Sequence, residues 1–191
     1  MSIVSDIEKL KKEKNAVILA HYYVDDDVQD VADYIGDSFY LSKVATKVSQ
    51  DRIIFAGVEF MGESAKILNP EKRVFMPDIN ADCPMAHMAD KDEILKLREQ
   101  YDDLAVVCYI NSTAELKKYS DVCVTSSNAV KIVKNLPNKN IFFIPDRNLG
   151  HFVAKQCPDK NFIFNNGCCP RHVVITQDMV CLLYTSDAAD E

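Results

Sequence analysis

No apolar run in the chain approaches the roughly 18 residues that a membrane-spanning helix needs. The opening stretch MSIVSDIEKLKKEKN carries acids early and has no apolar core, so it does not read as a secretory signal. The expected location is the cytoplasm, with no membrane partner. Long blocks of Lys or Arg are also missing, and the formal net charge is −7 over 191 residues. Binding nucleic acid requires a basic face that neutralises phosphates, so no nucleic-acid partner is expected. A local pocket for a small anion stays compatible with that charge, because net charge describes the whole surface. Seven cysteines stand at 83, 108, 123, 157, 168, 169 and 181, yet no Cys-x-x-Cys occurs. An odd count without a secretory signal argues against a disulfide framework, and the missing pair spacing argues against structural zinc. The run Asp25, Asp26, Asp27 lacks EF-hand spacing and reads as a solvated helix start.

What is present is an alternation of short apolar runs and helical periodicity. Residues 15–22 (NAVILAHY), 52–58 (RIIFAGV), 73–76, 104–110 (LAVVCYI), 121–125 and 141–144 read as strands. Helical spacing covers 27–46, interrupted at Gly36-Asp37-Ser38, then 60–68, 91–101 and 128–136. Ser112-Thr113-Ala114-Glu115 has capping-box spacing and opens a helix to about Tyr119. The segments ILNPEKRVFMPD and KNLPNKNIFFIPD suggest an internal repeat, with their Pro-Asp pairs 68 positions apart and the strand-end tyrosines Tyr23 and Tyr109 86 apart. Strands alternating with helices predict α/β domains with parallel sheets, which bind ligands beyond the carboxyl ends of their strands. His21, Tyr23, Tyr109, Asn111, Ser126 and Asn128 fall there.

Several of these residues could carry chemistry. Cys108 and Cys123 lie in apolar runs and read as packed small hydrophobes. Cys83 (PDINADCPMAHM) and Cys168-Cys169 (NNGCCPRH) lie among turn residues, where a thiolate is open to a soft metal. Their spacing alone is not specific, and plain packing is the commoner reading for such residues. His21 and Tyr23 share a strand face by alternation and could donate hydrogen bonds or relay protons; polar tips in solvent are the equal alternative. Thr125-Ser126-Ser127-Asn128 joins a strand to a helix, where backbone N–H groups suit a phosphate or carboxylate, although simple helix capping is the commoner use. Gly36-Asp37-Ser38 has the same two readings. His172 follows Cys169 as Cys-x-x-His.

Taken in order, AHYY…VQDVADYIGDS, GVEFMGESAKILNP, PDINADCPMAHM, YINSTAELK, CVTSSNAVKIV, IPDRNLGHFVAK and GCCPRH resemble the quinolinate synthase family, from about Leu10 to about Val180. The resemblance implies repeated three-layer α/β/α domains, two of the family's three pseudo-symmetric domains being present: 1–83, 84–169, and 170–191 as the start of a third. It implies condensation of iminoaspartate with dihydroxyacetone phosphate to quinolinate in NAD biosynthesis, and the enzyme supplying iminoaspartate is a candidate partner. It also implies a [4Fe–4S] cluster held by one cysteine per domain, with Cys83 and Cys169 as the first two ligands. Cys169 is preferred to Cys168 because the family's ligand precedes a His by three positions, as Cys169 precedes His172. The resemblance gives His21, Tyr23 and Tyr109 catalytic roles, and gives His21, Ser38, Tyr109, Asn111, Ser126 and His172 substrate contacts. The family's usual Asn after the strand-end His is Tyr22 here, expected to face away from His21. After Val180 the family pattern stops, and the tail CLLYTSDAADE shows neither the expected helix nor a third-domain motif. The tail therefore reads as non-native, the chain as C-terminally truncated, and the fragment as inactive alone. Cys181 arrives too early to be the third ligand. A non-catalytic small-anion-binding α/β protein is the alternative, and a thiol redox role for Cys168-Cys169 is weak because adjacent cysteines form only a strained disulfide.

Overall fold

The computed structural model describes residues 2–185, with side chains described up to Cys181. In the first half the order is α1 (Ile3–Lys14), β1 (Ala16–His21), α2 (Asp26–Gln29), β2 (Tyr34–Gly36), α3 (Ser38–Ala45), β3 (Arg52–Ala56), α4 (Glu59–Leu68) and β4 (Arg73–Phe75). A 3₁₀ turn, Pro84–His87, follows. The second half repeats it: α5 (Lys91–Gln100), β5 (Leu104–Tyr109), α6 (Ala114–Lys118), β6 (Val122–Val124), α7 (Ala129–Asn135), β7 (Asn140–Ile144), α8 (Arg147–Gln156) and β8 (Asn161–Phe164), after which α9 spans Gln177–Thr185.

Each half forms one four-stranded parallel sheet, ordered β2-β1-β3-β4 and β6-β5-β7-β8. A parallel sheet covered on both faces needs strands that are apolar throughout. The two central strands show why the sequence folds this way: Val17, Ile18, Leu19 and Ala20 of β1 are all buried, as are Leu104, Ala105, Val106, Val107 and Cys108 of β5. Alternation then sorts them. Val17 and Leu19 join Ile53 and Phe55 under Leu41 and Val44 of α3 and Phe60, Met61 and Ala65 of α4. In the second half Ala105 and Val107 join Ile141 and Phe143 under Ala129 and Val133 of α7 and Val153 of α8. Each such large side chain contributes about 1.5–3 kcal/mol by leaving water.

Two compact units result. The first comprises Met1–Ala86 with Ile110–Lys118, the second His87–Tyr109 with Tyr119–Glu191. The segment following β5 therefore packs with the first unit. Its short helix α6 sits on α4, where the Ala114 N–H donates to Glu63 Oε2 at 2.8 Å and Lys117 Nζ donates to Ser64 Oγ at 2.8 Å. Leu116 and Ser112 are buried there.

The internal repeat is real, but its register differs from the sequence expectation. β1 and β5, β2 and β6, β3 and β7, and α4 and α8 are each offset by 88 positions. Polar contacts keep the same offset. The Ile18 N–H donates to Asp33 Oδ2 and the Val106 N–H to Asp121 Oδ2, at 2.8 and 2.7 Å. Lys72 Nζ donates to the Val48 carbonyl and Lys160 Nζ to that of Leu136, with a second bond each to Ala45 at the end of α3 and to Asn138 past α7, where the offset is not kept. The Pro-Asp similarity misaligned the halves because Pro77-Asp78 follows β4 whereas Pro145-Asp146 follows β7, which is not its counterpart.

Two local expectations also change. Residues 34–36 form an edge strand where helical periodicity was read, and α9 is a helix where the tail was expected to have none. The Thr176 hydroxyl accepts the Met179 N–H at the start of α9. The expectation of a non-native tail concerns 181–191, of which 186–191 lie outside the described residues.

Candidate functional site

In each sheet the chain leaves the first central strand toward one side and the second toward the other, so a topological switch point lies at the carboxyl ends of β1 and β3, and of β5 and β7. Ligand sites of open parallel sheets form at that crevice. His21 ends β1 and Tyr109 ends β5; with the offset of 88 they are repeat equivalents, as are Tyr23 and Asn111, and Ser38 and Ser126.

In the first unit β1 stops at His21, and a turn closed by Val24 N–H to the His21 carbonyl at 3.0 Å follows. His21 and Tyr23 meet, as expected, with ring centroids 4.6 Å apart. The turn brings them together, not strand alternation. It also overturns the expectation for Tyr22, whose ring lies 4.7 Å from that of His21 instead of facing away. His21 is buried and Tyr23 is 83% exposed. The His21 Nδ1 accepts the Tyr23 N–H at 3.2 Å, which assigns the ring proton to Nε2. Burial pushes the His21 pKa below its ordinary value, and the Asp37 carboxylate offsets part of that shift. Burial and the neighbouring Tyr23 and Asp37 push the Tyr22 phenol up. Near neutral pH the pair therefore presents a neutral imidazole with a donor at Nε2.

Ser38 is the first residue of α3, but Asp37 caps that helix, its Oδ1 accepting the Tyr40 N–H at 2.7 Å. Sequence reasoning grouped Asp37 with Ser38 and did not single it out; its place just before a helix, next to a glycine, was the available signal. Asn111 is half-buried in the first unit, on the loop that the Glu63–Ala114 bond anchors.

Tyr109, in the second unit, is half-buried against that unit's core. Ser126 is exposed. Asn128 stands at the N-cap of α7 without a side-chain cap bond; its Oδ1 instead accepts the Thr125 N–H at 2.7 Å. The side chain thus folds the strand-to-helix loop back on itself and does not cap the helix.

Cys83 and Cys169 occupy matching places in their units. The first N–H of α4, that of Glu59, donates to the Ala81 carbonyl, and the first of α8, that of Arg147, donates to the Gly167 carbonyl, both at 2.8 Å. Two residues further on stand Cys83 and Cys169, each followed by proline. The Cys83 carbonyl accepts the Ala86 N–H at 2.8 Å and the Cys169 carbonyl accepts the His172 N–H at 3.1 Å. Cys168 and Cys169 are both half-buried, so burial does not separate them; the hydrogen-bond pattern makes Cys169 the counterpart of Cys83. His172 is exposed in the turn that Cys169 opens. Both thiols are reduced, soft donors on loops, a chemistry that fits iron–sulfur ligation. Cys157, by contrast, is sealed in the second core, and burial pushes its thiol pKa up, so it is packing. Among the described residues no helix is long and apolar enough to cross a membrane.

The family model described as quinolinate synthetase A protein matches residues 5–188. The chain is 62% identical over 177 residues to a quinolinate synthase of Fusobacterium nucleatum, covering 92% of this chain and 59% of that protein. It is 56% identical to one of Clostridioides difficile (87% and 55%) and 53% identical to one of Caldicellulosiruptor saccharolyticus (93% and 59%). It thus spans a little over half the length of these relatives.

Proposed function

The chain belongs to the quinolinate synthetase A family, and on that premise we propose that the full-length protein condenses iminoaspartate with dihydroxyacetone phosphate to quinolinate, releasing phosphate and water, in cytoplasmic NAD biosynthesis. Beyond family membership, the observation that carries this reading is the repeat equivalence of Cys83 with Cys169 and of His21 with Tyr109, all on segments that follow or end sheet strands.

Cys83 and Cys169 are the proposed thiolate ligands that the two units offer to a [4Fe–4S] cluster. When bound, a cluster with one iron not held by thiolate supplies a Lewis acid for dehydration. The protein's own groups do the rest. His21, its Nδ1 occupied by the Tyr23 N–H, donates from Nε2 to a substrate oxygen and can take up a proton when Nδ1 is released. Burial keeps it neutral near pH 7, as a group that moves protons requires. The Tyr23 and Tyr109 hydroxyls are further proton carriers. The Asn111 amide, the Ser38 and Ser126 hydroxyls and His172 hold substrate carboxylate and phosphate oxygens. The enzyme that makes iminoaspartate is the proposed partner.

The test is anaerobic reconstitution with iron and sulfide of the protein extended to its relatives' full length. Brown cluster absorbance and quinolinate formation are expected, and both are lost in Cys83→Ser or Cys169→Ser. Phosphate binding that survives both changes, without quinolinate formation, would return the non-catalytic anion-binding alternative. The 191-residue chain offers two of the three proposed thiolates and is expected to be inactive alone; full iron and sulfide content in it would contradict the ligand assignment.

A further inference from the structure

Cys169 stands on a loop whose path is fixed by a buried side chain. Asn165, just past β8, is 4% exposed and holds both ends of its amide in hydrogen bonds. Its Nδ2 donates to the Met88 carbonyl, and its Oδ1 accepts the Gly167 N–H at 2.8 Å. The second bond is an Asx turn, in which the side chain binds the backbone two residues on. The Gly167 carbonyl then accepts the first N–H of α8 at 2.8 Å. A Cβ at Gly167 would lie 2.5 Å from the Pro145 carbonyl oxygen and 2.8 Å from the Met88 Cβ. Neither atom sits on a flexible arm, so only glycine lets the loop pass here. Asn165, Gly167, Cys169 and these partners all belong to the second unit.

The loop to Cys83 in the first unit is built otherwise. Its Asx turn runs from the Asn80 N–H to Asp78 Oδ1 at 2.8 Å, and Asp78, Ile79 and Asn80 are all exposed. Ile79 stands two residues before Ala81, the acceptor for α4, as Asn165 stands two before Gly167, the acceptor for α8. Ile79 is 92% exposed. A buried amide is costly unless its groups are bonded, so the Asn165 turn admits one geometry. A turn in water meets no such demand, because solvent takes over any bond it drops.

We propose that Asn165 is a positioning residue for the Cys169 thiolate: with Gly167, it holds residues 165–169 in the path that presents this thiol to the cluster. The proposal rests on the ligand assignment above. Cys169 then supplies a fixed ligand and Cys83 an adaptable one, and a ligand fixed in advance lowers the ordering cost of loading.

Asn165→Ala in the 191-residue chain is expected to speed iodoacetamide labelling of Cys169, read by mass spectrometry, by about tenfold, the effect of losing a buried hydrogen bond. Cys157, sealed in the core of the same unit, reports opening of the unit as a whole and should accelerate far less. Asn165→Ser, whose hydroxyl still accepts the Gly167 N–H, is expected to fall between wild type and the alanine variant. The serine variant decides alone if the alanine variant does not fold. In the protein extended to its relatives' full length and reconstituted with iron and sulfide, a ferrous chelator should strip iron from the variants faster, in the same order. Cys169 labelling at the wild-type rate overturns the proposal. So does equal acceleration at Cys157, which would make Asn165 a residue of general stability, and so does faster labelling with unchanged iron release. A full cluster in Cys169→Ser refutes the ligand assignment, and the proposal with it, and is seen without any change at Asn165.

Discussion

Asp37 should act on the site in two separable ways. Its carboxylate caps α3, accepting the Tyr40 N–H at 2.7 Å, and its charge raises the His21 pKa against the larger lowering effect of burial. Asp37→Ala removes both functions. Loss of an N-cap costs about 1 kcal/mol, with a range of 0.5–2, and for a unit of this size that is a fall of about 4–8 °C in its unfolding temperature. Asp37→Asn keeps the cap, since Asn caps about as well as Asp, and removes only the charge. Its stability should stay within a few tenths of a kcal/mol of wild type. Both variants should lower the His21 pKa further, by the same amount. The stability effect is read from amide exchange in α3 and heat unfolding, and the pKa from NMR titration of the His21 ring protons. If Asn costs as much stability as Ala, the helix start depends on charge and not on the cap. If His21 titrates as in wild type in either variant, the carboxylate does not act on the imidazole and the electrostatic account of this site is wrong.

His21 also makes stability depend on pH. Its folded pKa lies below the ordinary 6.5, so between the two values the unfolded chain binds the extra proton and stability falls as pH drops below about 6.5. That slope should diminish in His21→Gln, and an unchanged slope would show that another group carries it. Lys72→Met and Lys160→Met each orphan two carbonyls near a helix end, at the end of α3 and after α7; urea unfolding should show losses of about 3–6 kcal/mol in the unit concerned, given that bonds to a charged donor are worth about 1.5–3 kcal/mol each. A loss below 0.5 kcal/mol, roughly the floor for a typical hydrogen bond, would mean that water takes over the carbonyls. Glu63→Ala should speed hydrogen exchange at the Ala114 amide, loosening the loop that carries Asn111, while Glu63→Gln keeps an acceptor and most of the protection. Equal protection in all three proteins would remove Glu63 as the anchor of that loop.

The strands that form the cores were legible because their sequences are apolar throughout and of strand length, as in β1, β3, β5 and β7. β2 was missed because it is only three residues long, two exposed residues ending in a glycine, and its neighbours carry helical spacing. The register of the repeat was misread because Pro-Asp ends strands wherever a chain must turn, and turn chemistry recurs without structural equivalence. His21 with Tyr23 was found, but by strand alternation, a rule that no longer applied where β1 had ended.

The sequence by itself determined the α/β class, the parallel strands and the residues able to carry chemistry, because hydrophobic periodicity and residue type are local properties. Only the tertiary structure decided that Cys83 and Cys169 stand at matching points, since the match lies in backbone hydrogen bonds to residues across a turn. It alone decided that Ile110–Lys118 belongs with the first unit. That placement rests on Glu63 and Ser64, which lie more than fifty positions earlier in the chain. Contacts between residues so far apart leave no periodic trace in either segment, because each partner is shaped by a surface that exists only once the chain has folded.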